Sequence, residues 1–563
     1  MAHVITQACC ADGACTTVCP VDCIHPTPAE REYLVTEMLY IDPDTCIDCG
    51  QCVPECPVDA IYSGYDLPDH LASYAAINAE YFKGTTLGDV PRRVAAPPEL
   101  HEDQPLRVAI VGSGPAGSYS AHELVEVGGS GIRVDIFDRL PTPFGLARLG
   151  VAPDHLGTKL VMRTFSELGA DPRVRFHLNT EIGRDITVEE LREHYHAVFF
   201  THGASSSRRL GIEGEDLPGS HAATQFVAWY NGHPDSPKPR GWQPPSHVVV
   251  IGNGNVAIDV ARQLTLGPEH LAASDMAPYA VDVLSRGLVK DVTVVGRRSA
   301  LHAACTLPEL EALADRTDID VVVPPEDLVL TDHELAAVRE SGMLRLKYEL
   351  FRTLSERPHT RERSITFRFL LTPQRILGES HAEGIELARN RMVSLGDRTV
   401  LEPTGETTVL PTNLVLRSVG YAGVELPGLP FDEATMTVPT DGARVLTEPG
   451  GEVIPGLYSA GWVKRGPSGV MGTNKLDAQG TVKVLLDDVR AGRIAAPAKS
   501  LDDLDRLLRQ RQPQVVPWQG WQAIEAHELA HGTETGRPRV KVTSREALVE
   551  FAAARLSTET EEQ

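Results

Sequence analysis

Nine of the ten cysteines fall within the first 56 residues. Four of them form the run Cys46-x2-Cys49-x2-Cys52-x3-Cys56, closed by Pro57. Thiolates at this spacing hold iron–sulfur clusters: three neighbouring sulfurs wrap one cluster, and the fourth, before a proline, reaches the cluster of a second run. A second run is present. Sliding the chain by 37 residues lays Cys9 on Cys46, Cys15 on Cys52, Cys19 on Cys56 and Pro20 on Pro57, and it lays Asp12 on Cys49. Reciprocal exchange gives one site Cys46, Cys49, Cys52 and Cys19, four thiolates that read as a [4Fe–4S] cluster. The other site keeps Cys9, Cys15 and Cys56, with Asp12 in place of the missing thiolate. A hard carboxylate holds iron less tightly than a soft thiolate, so the expectation there is a [3Fe–4S] cluster, or a [4Fe–4S] cluster with a labile iron on Asp12. The same superposition lays Cys23 on Ala60 and Cys10 on Ile47, which reads both as free, small apolar residues outside the ligand set. Zinc sites pair short knuckles, and two interleaved runs ending in Cys-Pro fit that pattern poorly.

Two glycine turns supply a different chemistry. In "LRVAIVGSGPAGSYSAHELV" an apolar strand runs into Gly112-x-Gly114-x-x-Gly117 and a helix, and the next strand ends at Asp138, 21 residues after Gly117. Such glycines let a pyrophosphate approach the helix N-terminus, while the acid accepts from ribose hydroxyls. "HVVVIGNGNVAIDVARQL" repeats the pattern with Gly252-x-Gly254-x-x-Ala257, but its following strand ends in Gly296-Arg297-Arg298 and carries no acid. Residues 267–290 are inserted before that strand. A carboxylate repels a 2′-phosphate and two guanidiniums attract one. The first site is therefore expected to take FAD and the second NADPH.

These groups need several elements to position them. At 563 residues the chain exceeds a single core, so three or four domains are expected. A helical stretch over 69–83 closes the cysteine module, and the Pro- and Gly-rich residues 84–105 read as a linker. The net charge of −24 disfavours nucleic acid and anionic membranes as partners. Within 1–66, eleven acids face a single Arg31, either a docking face or mere repulsion. The start lacks the basic and apolar regions of a signal peptide, no apolar run reaches a membrane span, and clustered cysteines suit a reducing compartment; a cytoplasmic location follows as the expectation.

Residues 1–83 resemble a seven-iron bacterial ferredoxin. The segments "LPTPFGLARLGVAPDH" (140–155), "GNGNVAIDVAR" (252–262), "GRRSALHAACTLPEL" (296–310), "LVLRSVGYAG" (414–423) and "AGWVKRGPSGVMGTNK" (460–475) resemble adrenodoxin-reductase-type ferredoxin–NADP reductases. The joint resemblance implies a multidomain chain: an α+β ferredoxin module (1–83), a linker (84–105), and two α/β Rossmann-like domains. The NADP domain (207–415) is inserted in a discontinuous FAD domain (106–206 and 416–495), and a tail (496–563) has no assigned role. It implies FAD contacts at Ala116, Asp138, Leu146, Ile182, Trp462, Gly469, Val470 and Met471. It implies NADP contacts at Arg208, Asn253, Gly254, Asn255, Val256, Arg297, Arg298, Glu309 and Gly469. His155 and Glu309 match polar residues near the nicotinamide and flavin rings, and so stand as the catalytic candidates. The family often has another acid three residues after Glu309; here that position is Ala312, with Glu311 beside it. Thr306-x-x-Glu309 also reads as a capping box, His155 as a helix-start residue and Trp462 as core packing.

Hydride transfer moves two electrons and an iron–sulfur cluster takes one, so a flavin belongs between NADPH and the clusters. The expected order is NADPH, FAD, clusters, then an external one-electron acceptor such as a separate ferredoxin or a haem monooxygenase. The linker is expected to hold the module near the flavin at ~mM effective concentration, with small-dye reduction independent of residues 1–83. Two alternatives remain at this point: an NADPH-oxidising subunit resembling that of glutamate synthase, and a redox sensor built on the three-iron site.

Overall fold

The computed structural model describes residues 1–83, 100, 102, 105–236, 244–395 and 398–561. The expected linker therefore lies, except for residues 100, 102 and 105, outside the described residues. The internal repeat of the cysteine module is written in its backbone. Left-handed residues recur in pairs 37 apart: Ala11 and Asp48, Gly13 and Gly50, Asp22 and Asp59. Asp12 and Cys49 each sit between two such residues, so a carboxylate and a thiol hang from the same turn. Each run then makes one short helix, Ala14–Val18 or Cys52–Glu55. Cys19 and Cys56 end these helices in extended conformation, as a residue before proline must. Strand Ile24–His25 pairs with Tyr40–Ile41, and strand Ile61–Ser63 pairs with His3–Ile5. Helix Ser73–Phe82 covers both pairs. Its buried Asn78 accepts from the amides of Ile5 (3.2 Å) and Ile41 (2.9 Å) and donates to the carbonyls of Ile5 and Tyr74 (both 2.8 Å). One amide thereby meets its full hydrogen-bonding capacity and ties the two copies together.

The remainder is built on two large sheets. In the first, strands Ile132–Asp138, Leu106–Val111, Ala197–Phe200 and Val453–Ser459 lie side by side and parallel, with Val174–Leu178 beyond the first of them. Two short antiparallel strands extend the other edge. In the second, six strands are all parallel, with His247–Ile251 central between Asp291–Val295 and Val415–Arg417. Apolar β-branched runs suit such two-sided burial. Val415–Arg417 belongs wholly to this second sheet, so the return crossing lies after Arg417 rather than at the expected 415. It runs through a two-stranded ribbon in which Tyr421–Ala422 pairs with Ser206–Ser207. The inserted residues 267–290 form the short helices Pro268–Ala272 and Pro278–Leu284.

The tail packs on the first sheet. Helix Trp518–Thr535 buries Trp518 and Trp521 beside Phe144, and a Cβ on Gly169 would fall 1.8 Å from the Trp518 ring. Glu528, fully buried, pairs with Arg148 at 2.6 Å and with Arg539 at 2.9 Å. Lys541 and Lys159 share buried Asp275 of the second unit at 3.1 and 2.7 Å, so the tail spans both units. Among the described residues no helix is long and apolar enough to cross a membrane.

Candidate functional site

Cys19, Cys46, Cys49 and Cys52 line one small cavity, together with His3, Ile24 and Ile41. They are the four thiols assigned from the repeat to the four-thiolate site. Cys23 lines the same cavity, its sulfur 3.5 Å from that of Cys19, so the fold brings to this site a fifth thiol that the repeat leaves outside the ligand set. Cys9, Cys15 and Cys56 lie near one another and near Asp12, with buried Cys10 beside them. Backbone amides of Ala11 and Ala60 point at the sulfurs of Cys9 (3.4 Å) and Cys56 (3.2 Å). All these cysteines are free. Burial pushes the Cys9 thiol up to about 12 and that of Cys52 to about 11. Thiols so placed ionise only against a cation, and a metal supplies one. Both groups thus fit iron–sulfur clusters in residue type and grouping.

The two sites face different ways. Cys49 is exposed, beside Ile47 at 60 % exposure. The Cys9–Asp12 loop is pressed onto the first sheet's unit. Gly472 donates its amide to the Cys10 carbonyl at 2.8 Å, and a Cβ there would fall 1.7 Å from the Ala11 carbonyl oxygen. Asp12 Oδ2 receives the Lys475 ammonium at 3.0 Å, and Oδ1 accepts weakly from Ala14 N at 3.4 Å. Gly472 and Lys475 lie on the first turns of helix Met471–Arg490. The module is therefore docked on the rest of the chain, beyond what a tether alone provides.

The glycine turns are built as their spacing requires. Gly112 has φ +104° and Gly252 φ +110°; a Cβ would come within 2.7 Å of His202 Cα at the first and 2.1 Å of the Ser418 carbonyl at the second. At the middle glycines the space is open. A Cβ on Gly114 would meet only Gly145 Cα at 3.9 Å, and one on Gly254 only Ala304 Cβ at 3.8 Å. Helices Pro115–Gly128 and Asn255–Thr265 begin at these mouths, so both cradles fit a pyrophosphate. Asp138 ends its strand beside the first mouth, accepting from Ser113 N (2.9 Å), Ser113 Oγ (2.6 Å) and Leu140 N (2.9 Å). Ala116 lies buried under Gly461, and Leu146 is half-buried on helix Gly145–Leu149. Ile182 faces the core with Val111 and Ile186. Trp462 is half-buried, its indole N–H donating to the Ser468 carbonyl at 3.2 Å. Gly469 has φ +79°. Val470 packs toward the cysteine module and Met471 toward the first sheet.

At the second mouth, Asn255 accepts from Thr306 N at 2.8 Å, Asn253 accepts from Ala304 N at 3.3 Å, and Val256 packs on the core. Arg297 and Arg298 stand exposed past the end of strand Asp291–Val295, and Arg208 is exposed at the ribbon. None of the three makes an ion pair among the described residues. Between the two mouths lie His155 and Glu309. His155 Nε2 is 3.9 Å from Glu309 Oε2, and its Nδ1 is 3.9 Å from Asp259. Arg262 of helix Asn255–Thr265 pairs with both Asp154 and Asp259, fastening the His155 segment to the second unit. Thr306 caps helix Leu307–Ala314 through Glu309 N at 3.4 Å, but the Glu309 carboxylate does not return to Thr306, so the capping box is half made. That carboxylate instead accepts from Gln7 Nε2 at 2.9 Å. Burial, with Asp315 nearby, pushes Glu311 up to about 7.

The sequence is similar to known proteins along nearly its whole length. Residues 39–62 match the family described as 4Fe-4S binding domain, and residues 106–320 match pyridine nucleotide-disulphide oxidoreductase. A Mycobacterium tuberculosis protein named probable ferredoxin/ferredoxin–NADP reductase is 44 % identical over 554 residues, 96 % of this chain and 93 % of the relative. This chain belongs to that family. The reductase part alone is 44 % identical to the NADPH-ferredoxin reductase FprA of M. tuberculosis, over 78 % of this chain and 98 % of that one. A solved structure of FprA in complex with NADPH superposes with a TM-score of 0.75 at 41 % identity, covering 80 % of this chain and all of the other.

Against other members of the ferredoxin/ferredoxin–NADP reductase family, the names agree with the motifs of 106–490 and not with a glutamate synthase subunit. Sequence reasoning missed four residues at this site: Gln7, Asp259, Lys475 and His202. Asp259 and Lys475 lie within the quoted segments 252–262 and 460–475, and His202 stands two residues after strand Ala197–Phe200, whereas no motif singles out Gln7. Burial pushes the His202 imidazole down to about 4, which keeps it neutral beside the first glycine turn at pH 7.

Proposed function

We propose that this chain takes hydride from NADPH onto FAD and delivers the electrons singly, through the iron–sulfur sites of its own cysteine module, to a separate one-electron acceptor protein. The supporting observation is the seat of the module: its Cys9–Asp12 loop lies on helix Met471–Arg490, next to the Gly469–Met471 segment implied in FAD contact. When bound, FAD accepts an electron pair and releases it in single steps, which joins nicotinamide to cluster chemistry. The protein's own residues do the rest. Gly112, Gly114 and Gly117 admit the FAD pyrophosphate and Asp138 accepts from its ribose. Gly252 and Gly254 admit NADP, and Arg208, Arg297 and Arg298 bind its 2′-phosphate. His155 and Glu309 orient the nicotinamide between the two units, and the docked module excludes water from that junction. The test is an anaerobic titration of holoprotein with NADPH, after quantitation of FAD, iron and sulfide. Low-temperature paramagnetic resonance should show cluster reduction as the flavin bleaches. Bleaching with no cluster gaining an electron would reject the scheme.

Cys19, Cys46, Cys49 and Cys52 hold a [4Fe–4S] cluster in this reading, and Cys9, Cys15 and Cys56 a [3Fe–4S] cluster. The pairing of Asp12 with Lys475 supports three irons over four, because the ammonium competes for the carboxylate that a fourth iron requires. Lys475→Ala is therefore expected to let reduced protein take up one ferrous ion per chain, with loss of the three-iron resonance on reoxidation. Wild-type protein under the same conditions keeps its signal. Asp12→Cys should yield a second full cubane, and an unchanged three-iron signal in that variant would remove Asp12 from the site.

A further inference from the structure

Three side chains from three separate pieces of the cysteine module grip consecutive residues of the reductase. Glu37 Oε2 accepts from Leu307 N at 2.8 Å, Tyr74 donates its hydroxyl to the Pro308 carbonyl at 2.9 Å, and Gln7 Nε2 donates to Glu309 Oε2 at 2.9 Å. Leu307 to Glu309 are the first turn of their helix, where amides have no partner within the helix. Glu37 and Tyr74 hold backbone there. Gln7 holds the side chain that points across the junction toward His155, and among the described residues it is the one hydrogen-bond donor to that carboxylate. Gln7 is itself fixed: Thr6 N donates to the Ala60 carbonyl at 2.9 Å and Cys9 N to the Thr6 carbonyl at 3.1 Å. The next residue, Ala8, abuts the His155 segment, since a Cβ on Gly157 would lie 3.2 Å from the Ala8 Cβ.

We propose that Gln7 is a positioning residue for the reductase reaction, so that the cysteine module completes the nicotinamide side of the site it draws electrons from. The proposal rests on the reading of Glu309 as the carboxylate beside the nicotinamide. A neutral amide donor suits the task. It occupies one lone pair of Oε2, the oxygen that also faces His155, fixes the terminal torsion of Glu309 and adds no charge. Small-dye reduction is then not independent of the module, contrary to the tethered scheme the sequence suggests.

The test uses full-length holoprotein with ferricyanide as acceptor, which draws on the flavin directly. Gln7→Ala, Gln7→Glu and Glu309→Ala are compared by NADPH kinetics, by calorimetric NADP+ binding and by hydrogen exchange of the 307–314 peptide. Gln7→Ala should lower kcat about tenfold with the NADP+ Kd within about twofold, because misorientation at the reacting end slows chemistry while the phosphate end still binds. Gln7→Glu sets a second carboxylate against Glu309 and should be worse. Exchange over 307–314 should stay as in wild type, since Glu37 and Tyr74 remain. An unchanged kcat in Gln7→Ala alongside a lowered one in Glu309→Ala would overturn the positioning role and leave the reading of Glu309 standing. Unchanged kcat in both would overturn both. Lost protection over 307–314 in Gln7→Ala would make the effect one of undocking and also overturn the proposal.

Discussion

Replacing Arg297 and Arg298 together by alanine is expected to raise the Michaelis constant for NADPH by about 100-fold and to leave that for NADH within about threefold. Each charge-assisted hydrogen bond to a phosphate contributes about 1.5–3 kcal/mol, and two such contacts are lost. The surroundings of the pair support the proposed role. The backbone at these positions is fixed, with Asn390 Nδ2 donating to the Arg297 carbonyl at 3.3 Å and Leu370 N to the Arg298 carbonyl at 3.0 Å. The guanidiniums stay exposed, and no carboxylate neutralises them among the described residues. Most other arginines near the second sheet are already spoken for: Arg368 and Arg389 share Asp327, and Arg417 pairs with Glu215. Two free guanidiniums past a strand end, beside an open glycine turn, match a 2′-phosphate. Steady-state kinetics with both nucleotides decide the matter, and equal effects on NADPH and NADH would refute the assignment.

Glu528→Ala should destabilise the protein by about 3–5 kcal/mol, the usual cost of removing one partner from a buried ion pair. Glu528 is fully buried and accepts from Arg148 at 2.6 Å, Arg539 at 2.9 Å and Val542 N at 2.9 Å. Truncation strands the buried Arg148 guanidinium, which then keeps only the face of Trp521, 4.9 Å from its ring centroid, while Arg539 retains Glu525 at 2.7 Å. Burial alone would raise the Glu528 carboxyl, but the two arginines bring it below its ordinary value. A depressed carboxylate contributes stability above its unfolded pKa and loses it as pH falls through the folded one. The variant should therefore differ most from wild type near neutrality and least in acid. Urea unfolding followed by tryptophan fluorescence at two pH values measures both effects, and equal midpoints at pH 7 would show that the pair contributes nothing.

The chemistry of this chain was largely legible because it is local. Cysteine spacing, Cys-Pro steps and glycine turns encode backbone shape within a dozen residues, and the left-handed pairs 37 apart show how literally the repeat is kept. The assembly was not legible. Gln7 with Glu309, Asp12 with Lys475 and Glu528 with Arg148 are each separated by more than 300 residues, and no periodicity announces such partners. Asp12 illustrates the difference. Its alignment with Cys49 predicts a weak ligand, but only the docked fold shows an ammonium beside it. Gly472 offered a hint, since glycine inside a helix often marks a close backbone approach, yet the sequence does not say to what. The tail was opaque for a related reason: helix Trp518–Thr535 has tryptophans on a helix whose partners are strands far upstream.

The pairing of Asp12 with Lys475 also bears on how the chain is made. Residues 463 apart must both exist before that contact can close, and at ribosomal rates the interval is on the order of a minute. The amino-terminal module thus emerges, and has time to be loaded with metal, long before its landing place on helix Met471–Arg490 has been translated. Under the proposed function, cluster insertion and docking are then separated by the order of synthesis, since the Cys9–Asp12 loop meets Gly472 and Lys475 only when the last quarter of the polypeptide has been made.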